Sequence, residues 1–248
     1  MKAIITDLDR TLLRTDKSIS EYTCAVLKKC HHRGILLMAA TARPERAILS
    51  YQDKIGFDAI TTLNGARILL PRRVMENGIA RASAEAILQK VTSIPGVILS
   101  LETGDGIFSN VPIPEWNPKV FHGFPALPTE SVLYKILLSG KENDLLPETK
   151  KAMPPDTYMT VAEGSLIQIM SRAATKWNGI RAMLDAAGIR QEDAVYFGDD
   201  NDDIEPVKNC GMGVAVSNAI RDVLDAADHV AESNDRDGVA RFIAEHIL

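Results

Sequence analysis

The feature that most constrains the fold of this chain is a set of short apolar runs, each of which stops abruptly at polar residues. The first run, residues 3–5, is followed closely by Asp7 and Asp9. It shows no alternation of polar and apolar residues, which is typical of a strand buried on both faces of a sheet. Open α/β sheets bind their ligands just beyond the carboxyl ends of such strands. The pattern therefore predicts an α/β fold with a polar site at one edge of the sheet.

Two further apolar runs end in the same way. Residues 35–40 lead to Thr41, and residues 194–197 lead to Gly198 and then to four acids within the next five residues. If the three strands are parallel, their carboxyl ends share one edge of the sheet. Acids crowded there repel one another unless a cation lies between them, and Mg²⁺ prefers oxygen ligands. The other interpretation of the first pair of acids is a solvated turn, since turns are rich in aspartate.

Helices are predicted between these strands. The first covers residues 21–32 with Ser20 as its N-cap, and the second begins at Pro44 and runs to about Lys54. A later helix begins at Lys176, directly after Thr175 as a candidate N-cap. Alone, Lys176 would be an ordinary surface lysine. An anion bound at this helix end would instead favour a functional role.

Four ordered motifs on these strand and helix ends resemble the haloacid dehalogenase (HAD) superfamily, in its Cof-like type IIB phosphatase branch. They are Asp-x-Asp-x-Thr at residues 7–11, a Thr-x-Arg motif at 41–43, a lysine at 176, and an approximate Gly-Asp-x-x-Asn-Asp at 198–203. The Asn-Gly turn that precedes the inserted domain in this branch is similar to Asn64 and Gly65. Together the motifs are far more specific than any one of them alone.

The resemblance implies a Rossmann-like HAD core, with a parallel sheet and helices on both faces, plus an inserted α+β cap domain of type C2. The core would comprise residues 1–80 and 172–248, and the cap residues 81–171. The sequence pattern changes within the insertion. It predicts a helix over 83–91, a hairpin with strands at 97–101 and 107–110, a proline-rich loop over 112–128, and strands at 132–139, 158–162 and 166–170.

The resemblance also implies phosphoryl transfer through an aspartyl-phosphate, with Mg²⁺ as cofactor and a small phosphomonoester as substrate. A carboxylate can act as the nucleophile because it is already ionised at neutral pH. The implied roles are Asp7 as nucleophile, Asp9 as general acid and base, Thr41 and Lys176 as phosphate ligands, Arg43 and Asn64 as substrate contacts, and Asp7, Asp9 (through its backbone carbonyl), Asp199 and Asp203 as metal ligands. Asp203 could instead orient the site from outside the metal's ligand shell.

The chain departs from the family pattern at three positions. Arg10 and Ala42 stand where glycines are usual, which suggests altered loops. Asp202 stands where the family usually has asparagine, with Asn201 one position early. A carboxylate at position 202 would oppose phosphate binding unless it were protonated, bound to the metal or turned away.

Composition bounds the remaining properties. The formal net charge of −5 argues against nucleic acid as the main partner. The three cysteines, at 24, 30 and 210, form no Cys-x-x-Cys pair, which fits a reducing compartment. Because the sequence shows neither a signal-peptide profile nor an apolar stretch of membrane-spanning length, we expect a cytoplasmic protein without membrane contact. The oligomeric state is left open.

Three functions remain possible at this stage. The first is a Mg²⁺-dependent phosphatase acting on a small phosphorylated metabolite. The second is a phosphomutase of similar fold, which would pass the phosphate between substrate hydroxyls; release of inorganic phosphate separates these two. The third is a non-catalytic regulator that binds Mg²⁺ and phosphate, against which the intact set of Asp7, Asp9, Lys176 and Asp199 argues.

Overall fold

The computed structural model describes residues 1–123, 131–140, 145–162 and 166–248, which form two compact units. The first unit comprises Met1–Met75 and Thr175–Leu248, and the second comprises Glu76–Ala174. The second unit therefore interrupts the first along the chain. From the sequence we expected these divisions after residues 80 and 171.

The elements are named in chain order. Up to Glu76 they are β1 (Ala3–Thr6), α1 (Glu21–His32), β2 (Leu36–Ala40), α2 (Leu49–Ile55), β3 (Ala59–Thr62), β4 (Arg67–Leu70) and β5 (Arg73–Glu76). The second unit continues with α3 (Arg81–Val91), β6 (Ile98–Thr103), β7 (Gly106–Ser109), β8 (Lys119–Val120), β9 (Leu133–Ser139), α4 (Leu145–Ala152), β10 (Thr157–Ala162) and β11 (Leu166–Ser171). The first unit resumes with α5 (Lys176–Ala187), β12 (Ala194–Gly198), α6 (Ile204–Asn209), β13 (Met212–Val216), α7 (Arg221–Ala226), β14 (His229–Ala231) and α8 (Gly238–His246).

The first unit is built on one sheet with the strand order β14-β13-β12-β1-β2-β3-β4-β5. The six strands from β14 to β3 are parallel, and β4 runs antiparallel to β3. Every residue of β1 and of β12 is buried, as the unbroken apolar runs predicted. The central strands are therefore those whose carboxyl ends carry the first and last motifs.

Helices cover both faces of this sheet, because alternate side chains of each strand point to opposite faces. Ile4 belongs to the core cluster that includes residues of α1 and α8, whereas its neighbour Ile5 belongs to the cluster that includes residues of α5. The predicted α/β class, a mostly parallel sheet between two helical layers, is confirmed.

The second unit contains a sheet of order β10-β11-β9-β6-β7-β8. Its pairings are antiparallel except for β7 with β8, and one core cluster joins α3 to the side chains of β6, β9 and β11. The predicted helix, hairpin and three later strands are confirmed to within a few residues. The predicted loop over 112–128 contains the short strand β8, and residues 124–128 lie outside the described part of the chain.

Local signals set most of the helix ends in the first unit. Ser20 and Thr175 each cap a helix by accepting a hydrogen bond from the backbone N–H three residues later, and Gly188 ends α5 in the left-handed conformation. The single helix predicted from Pro44 to Lys54 is wrong: a 3₁₀ turn, Glu45–Ala47, precedes α2. The two are separated at Ile48, whose backbone lies at φ −114° while its side chain is buried in the core.

Candidate active site

The carboxyl ends of β1 and its two neighbours lie side by side. Thr6 is in register with Phe197 of β12 on one side and with Ala39 of β2 on the other. The residues that follow these three are Asp7, Gly198 and Ala40, and the Asp7 backbone N–H bonds to the Phe197 carbonyl at 2.9 Å. The first and last motifs are thus adjacent at one edge of the sheet, with Thr41 directly after β2.

Lys176 lies in a buried ion cluster at this edge. Its Nζ is 2.8 Å from Asp7 Oδ1 and 2.7 Å from Asp203 Oδ1, and the lysine side chain is only 5% exposed. Helix α5 can approach the sheet closely because Gly179, one turn after Lys176, has no side chain: a Cβ there would overlap the side chain of Thr61 in β3. Lys176, in the first turn of α5, is thereby held between Asp7, which follows β1, and Asp203, which lies in the loop after β12.

Asp203 organises this cluster with both of its oxygens. Oδ1 accepts from Lys176 and, at 2.6 Å, from the hydroxyl of Tyr196, while Oδ2 accepts from the backbone N–H groups of Asp199 (2.8 Å) and Asp200 (3.0 Å). The carboxylate is fully buried. Gly198 allows this close approach, since a Cβ there would lie 2.5 Å from Asp203 Cβ. Asp203 therefore fixes the positions of Lys176 and of the loop that carries Asp199.

Asp199 stands at the end of β12 beside the nucleophile candidate. Its Oδ1 accepts a 2.7 Å hydrogen bond from Thr11 Oγ1, and its Oδ2 is 4.0 Å from Arg10 Nε. Burial raises the pKa of Asp199 to about 6, and the nearby Asp203 charge adds to the rise, although the Thr11 bond opposes it. Ionised Asp199 is thus held in a site that disfavours its charge.

Three carboxylates offer oxygen atoms that all lie within 4.8 Å of one another: those of Asp7, Asp199 and Asp203. Burial raises the pKa of Asp7 well above its usual value, and the charges of the other two raise it further, although Lys176 opposes them. The pKa of Lys176 is raised because its two ion pairs outweigh its burial. The three carboxylates carry more negative charge than the single Lys176 ammonium can balance, and their oxygens are ligands that divalent cations prefer. This group of acids therefore fits a divalent cation.

Asp9 lies outside this cluster and has different partners. Arg43 donates two hydrogen bonds to the Asp9 carboxylate, from Nε to Oδ2 at 2.6 Å and from Nη2 to Oδ1 at 2.7 Å. Lys17 Nζ donates a third, to Oδ1 at 2.7 Å. Burial alone would raise the pKa of Asp9, but the hydrogen bonds from Arg43 and Lys17 lower it to about 2. The structure therefore places the predicted acid and the predicted substrate contact in direct contact with each other.

The loop after β2 is tied to the loop after β3. Thr41 Oγ1 accepts from the Arg43 backbone N–H at 3.1 Å, and the Thr41 carbonyl accepts from the Asn64 N–H at 3.1 Å. Asn64 adopts the left-handed conformation at φ 57°, which asparagine tolerates better than most residues. Its Nδ2 donates to Asp202 Oδ2. The carboxylate that departs from the family pattern is thus turned toward Asn64.

Two residues of the site were not singled out by the sequence analysis. Tyr196 lies inside the apolar run of β12, where its hydroxyl gives no signal other than a polar atom that must find a partner once buried. Lys17 lies in a loop among other polar residues, and no local pattern distinguishes it. Both are recognised only by the acids that they contact, Asp203 and Asp9.

The parallel sheet and the acids at its carboxyl edge agree with the arrangement that the four sequence motifs implied. The family model of the haloacid dehalogenase-like hydrolases matches residues 4–243, and the chain belongs to this family.

Among the described residues, no helix combines the length and apolar character needed to cross a membrane.

Individual relatives cover nearly the whole chain. The 5-amino-6-(5-phospho-D-ribitylamino)uracil phosphatase YitU of Bacillus subtilis is 25% identical over 98% of this chain and 96% of its own length. A haloacid dehalogenase-like hydrolase from Bacteroides thetaiotaomicron has a TM-score of 0.86 at 23% identity, covering 98% of both chains. The HAD subclass IIB sugar phosphatase BT4131 has a TM-score of 0.80 at 23% identity, again over 98% of both chains. The structural matches establish the shared fold.

Proposed function

We propose that this protein is a Mg²⁺-dependent phosphatase that hydrolyses a small phosphomonoester through an aspartyl-phosphate intermediate. The observation that carries the proposal is the contact between Asp7 and Lys176, 2.8 Å apart at the carboxyl edge of the sheet. A carboxylate nucleophile needs a cation that can receive the phosphoryl oxygens without neutralising the attacking group. Lys176 meets that need because Asp203 holds its ammonium from the other side.

In the first half-reaction, Asp7 attacks phosphorus and the bond to the leaving alkoxide breaks. Lys176 and Thr41 bind the phosphoryl oxygens, Lys176 by charge and Thr41 by its hydroxyl. Asp9 gives a proton to the departing oxygen, and in the second half-reaction it takes a proton from the water that attacks the aspartyl-phosphate. The two-residue spacing allows one acid to face phosphorus while the other serves the leaving group.

The metal would be held by the carboxylates of Asp7 and Asp199 and by the backbone carbonyl of Asp9. When bound, Mg²⁺ would supply positive charge that lets an anionic nucleophile approach an anionic phosphate. Asp203 was predicted as a ligand or as an orienting residue, and we propose the second role. Its two oxygens already accept four hydrogen bonds, which matches a group that positions Lys176 and the Asp199 loop.

We propose a phosphorylated sugar, or a similar phosphate ester of a polyhydroxylated alkyl chain, as the substrate class. The names of the relatives support this: YitU acts on a phosphoribityl compound, and BT4131 is a sugar phosphatase. Such substrates leave as alkoxides, which are poor leaving groups and require a general acid. Arg43 and Asn64, on the loops that follow β2 and β3, would contact the substrate beside the phosphate.

The test is phosphate release from p-nitrophenyl phosphate and from a panel of sugar and polyol phosphates, with Mg²⁺ or with EDTA. Asp7→Asn should abolish release while the protein remains folded, and Asp222→Asn, at an exposed aspartate of the same unit, should not change it. Mg²⁺-dependent release by the wild type but not by Asp7→Asn would support the proposal. Isomerised product without free phosphate would indicate the mutase. Mg²⁺ binding without either product would indicate the regulator.

A further inference from the structure

Asp9 belongs to a closed ring of contacts with Arg43, Tyr51 and Lys17, here called the Asp9 ring. Arg43 and Lys17 each donate to the Asp9 carboxylate. The Arg43 guanidinium lies 5.2 Å from the centre of the Tyr51 ring, and the Tyr51 hydroxyl donates to the Lys17 carbonyl at 2.9 Å. Asp9 is therefore held by two cationic side chains, and both of these residues contact Tyr51.

The two cations use the Asp9 oxygens differently. Arg43 spans both oxygens, whereas Lys17 contacts only Oδ1. If Arg43 moved to an anionic group of a substrate, Oδ2 would be released and Oδ1 would remain bound to Lys17. The guanidinium fork matches phosphate as well as carboxylate, so such an exchange of partners is chemically natural.

Lys17 is anchored well enough to act as the fixed partner. Its backbone N–H bonds to the Arg14 carbonyl at 2.9 Å, and its carbonyl is held by Tyr51. Its φ of 66° lies in the left-handed region, which is uncommon for a residue other than glycine and persists only where surrounding contacts fix it. The ammonium is presented by a constrained loop.

We propose that Lys17 is a positioning residue that holds Asp9 Oδ1 while Arg43 turns to the substrate, which leaves Oδ2 to serve the leaving group. This inference rests on the proposed function. Once Arg43 has left, Oδ2 no longer accepts its hydrogen bond and takes a proton from water. In the first half-reaction the bond from Asp7 oxygen to phosphorus forms, the bond from phosphorus to the leaving oxygen breaks, and this proton passes from Asp9 Oδ2 to the leaving oxygen. In the second, water oxygen bonds to phosphorus, the Asp7 ester breaks and a water proton returns to Oδ2.

The experiment uses leaving groups that differ in their need for a proton. p-Nitrophenolate leaves without protonation, whereas an alkoxide does not. The burst of p-nitrophenolate in stopped flow reports the first half-reaction, and kcat is measured with the best alkyl phosphate of the panel. Lys17→Met should lower kcat for the alkyl phosphate by about tenfold or more, within the range of general-acid effects. The burst rate and KM should change by less than about threefold, because phosphate binding and nucleophilic attack do not use Lys17.

Controls separate positioning from folding. Lys17→Arg should restore most of the alkyl phosphate activity because it keeps the cation, and Lys28→Met, at an exposed lysine of α1, should resemble the wild type. Equal losses of burst rate and kcat in Lys17→Met would show a merely structural role, and no loss would show a solvated lysine. Either result overturns the inference.

Asp9→Asn distinguishes a failure of the inference from a failure of the proposed function. If Asp9→Asn loses alkyl phosphate turnover and keeps the p-nitrophenolate burst while Lys17→Met loses neither, only the role of Lys17 is refuted. If Asp9→Asn shows no such selectivity, the acid role of Asp9 fails, and the inference about Lys17 fails with it. An active Asp7→Asn protein would refute the nucleophile on which both depend.

Discussion

Replacing Asp199 with asparagine should stabilise the metal-free protein, although it removes a proposed metal ligand. The Asp199 side chain is only 6% exposed, and burial raises its pKa from the usual 3.8 to about 6. The folded state therefore disfavours the charge that Asp199 carries at neutral pH. Asparagine removes this charge and keeps an oxygen that can accept the hydrogen bond from Thr11.

The magnitude follows from the size of the pKa shift. Each pKa unit corresponds to about 1.4 kcal/mol, so a rise of about two units lowers the free energy of unfolding by about 3 kcal/mol once Asp199 is ionised in both states. A raised pKa means that the folded state binds the proton more tightly. The contribution of Asp199 to stability is therefore complete below pH 3.8 and is lost as the pH rises through about 6. Asp199→Asn should gain about 3 kcal/mol at pH 8 and about half of that at pH 5.

The assay is urea unfolding in EDTA at both pH values. Trp177 is buried in the first unit, so its fluorescence in a Trp116→Phe background reports the unfolding of that unit. Asp222→Asn, at an exposed site, should change the free energy of unfolding by less than about 0.5 kcal/mol. Adding Mg²⁺ at about 100 times its dissociation constant should stabilise the wild type by about 2.7 kcal/mol and leave Asp199→Asn almost unchanged, which closes the gap.

Two results would refute this reasoning. If Asp199→Asn were less stable than the wild type at pH 8 in EDTA, burial of the charge would not be the dominant effect. If it were more stable by the same amount at both pH values, the gain would come from packing or hydrogen bonding rather than from the ionisation of Asp199.

Two further predictions concern the scaffold of the site and use the same urea assay. Asp203→Asn should lower the free energy of unfolding by about 2–4 kcal/mol, because hydrogen-bond donors face both oxygens of Asp203 and the amide NH2 would meet donors in either orientation. A loss below about 0.5 kcal/mol would contradict the buried ion cluster. Gly179→Ala should cost about 1–3 kcal/mol by overlap with Thr61. Adding Thr61→Ala should recover part of that loss, since the Thr61 hydroxyl has no hydrogen-bond partner among the residues that the structure describes. Strictly additive losses would argue against the overlap.

Much of the fold could be predicted from the sequence because its signals are local. The apolar run before Asp7 gives a strand buried on both faces, and Thr175 and Gly188 mark the two ends of α5. These signals depend on a few neighbouring residues whose backbone conformation they restrict directly. The break between the 3₁₀ turn and α2 was missed because it accompanies the burial of Ile48, which is a property of the tertiary core.

The sequence by itself determined which residues follow the strand ends, and hence that Asp7 and Asp199 would meet at one edge of the sheet if their strands were parallel, as they are in the structure. Only the tertiary structure decided their partners. Asp9 contacts Arg43 and Lys17, and Asp202 contacts Asn64, because these side chains come from loops that are far apart or weakly patterned in the chain. The backbone conformation of each strand and helix follows from the sterics of neighbouring residues. Which charged side chains form pairs depends instead on distances that are set only when the strands and loops have packed together.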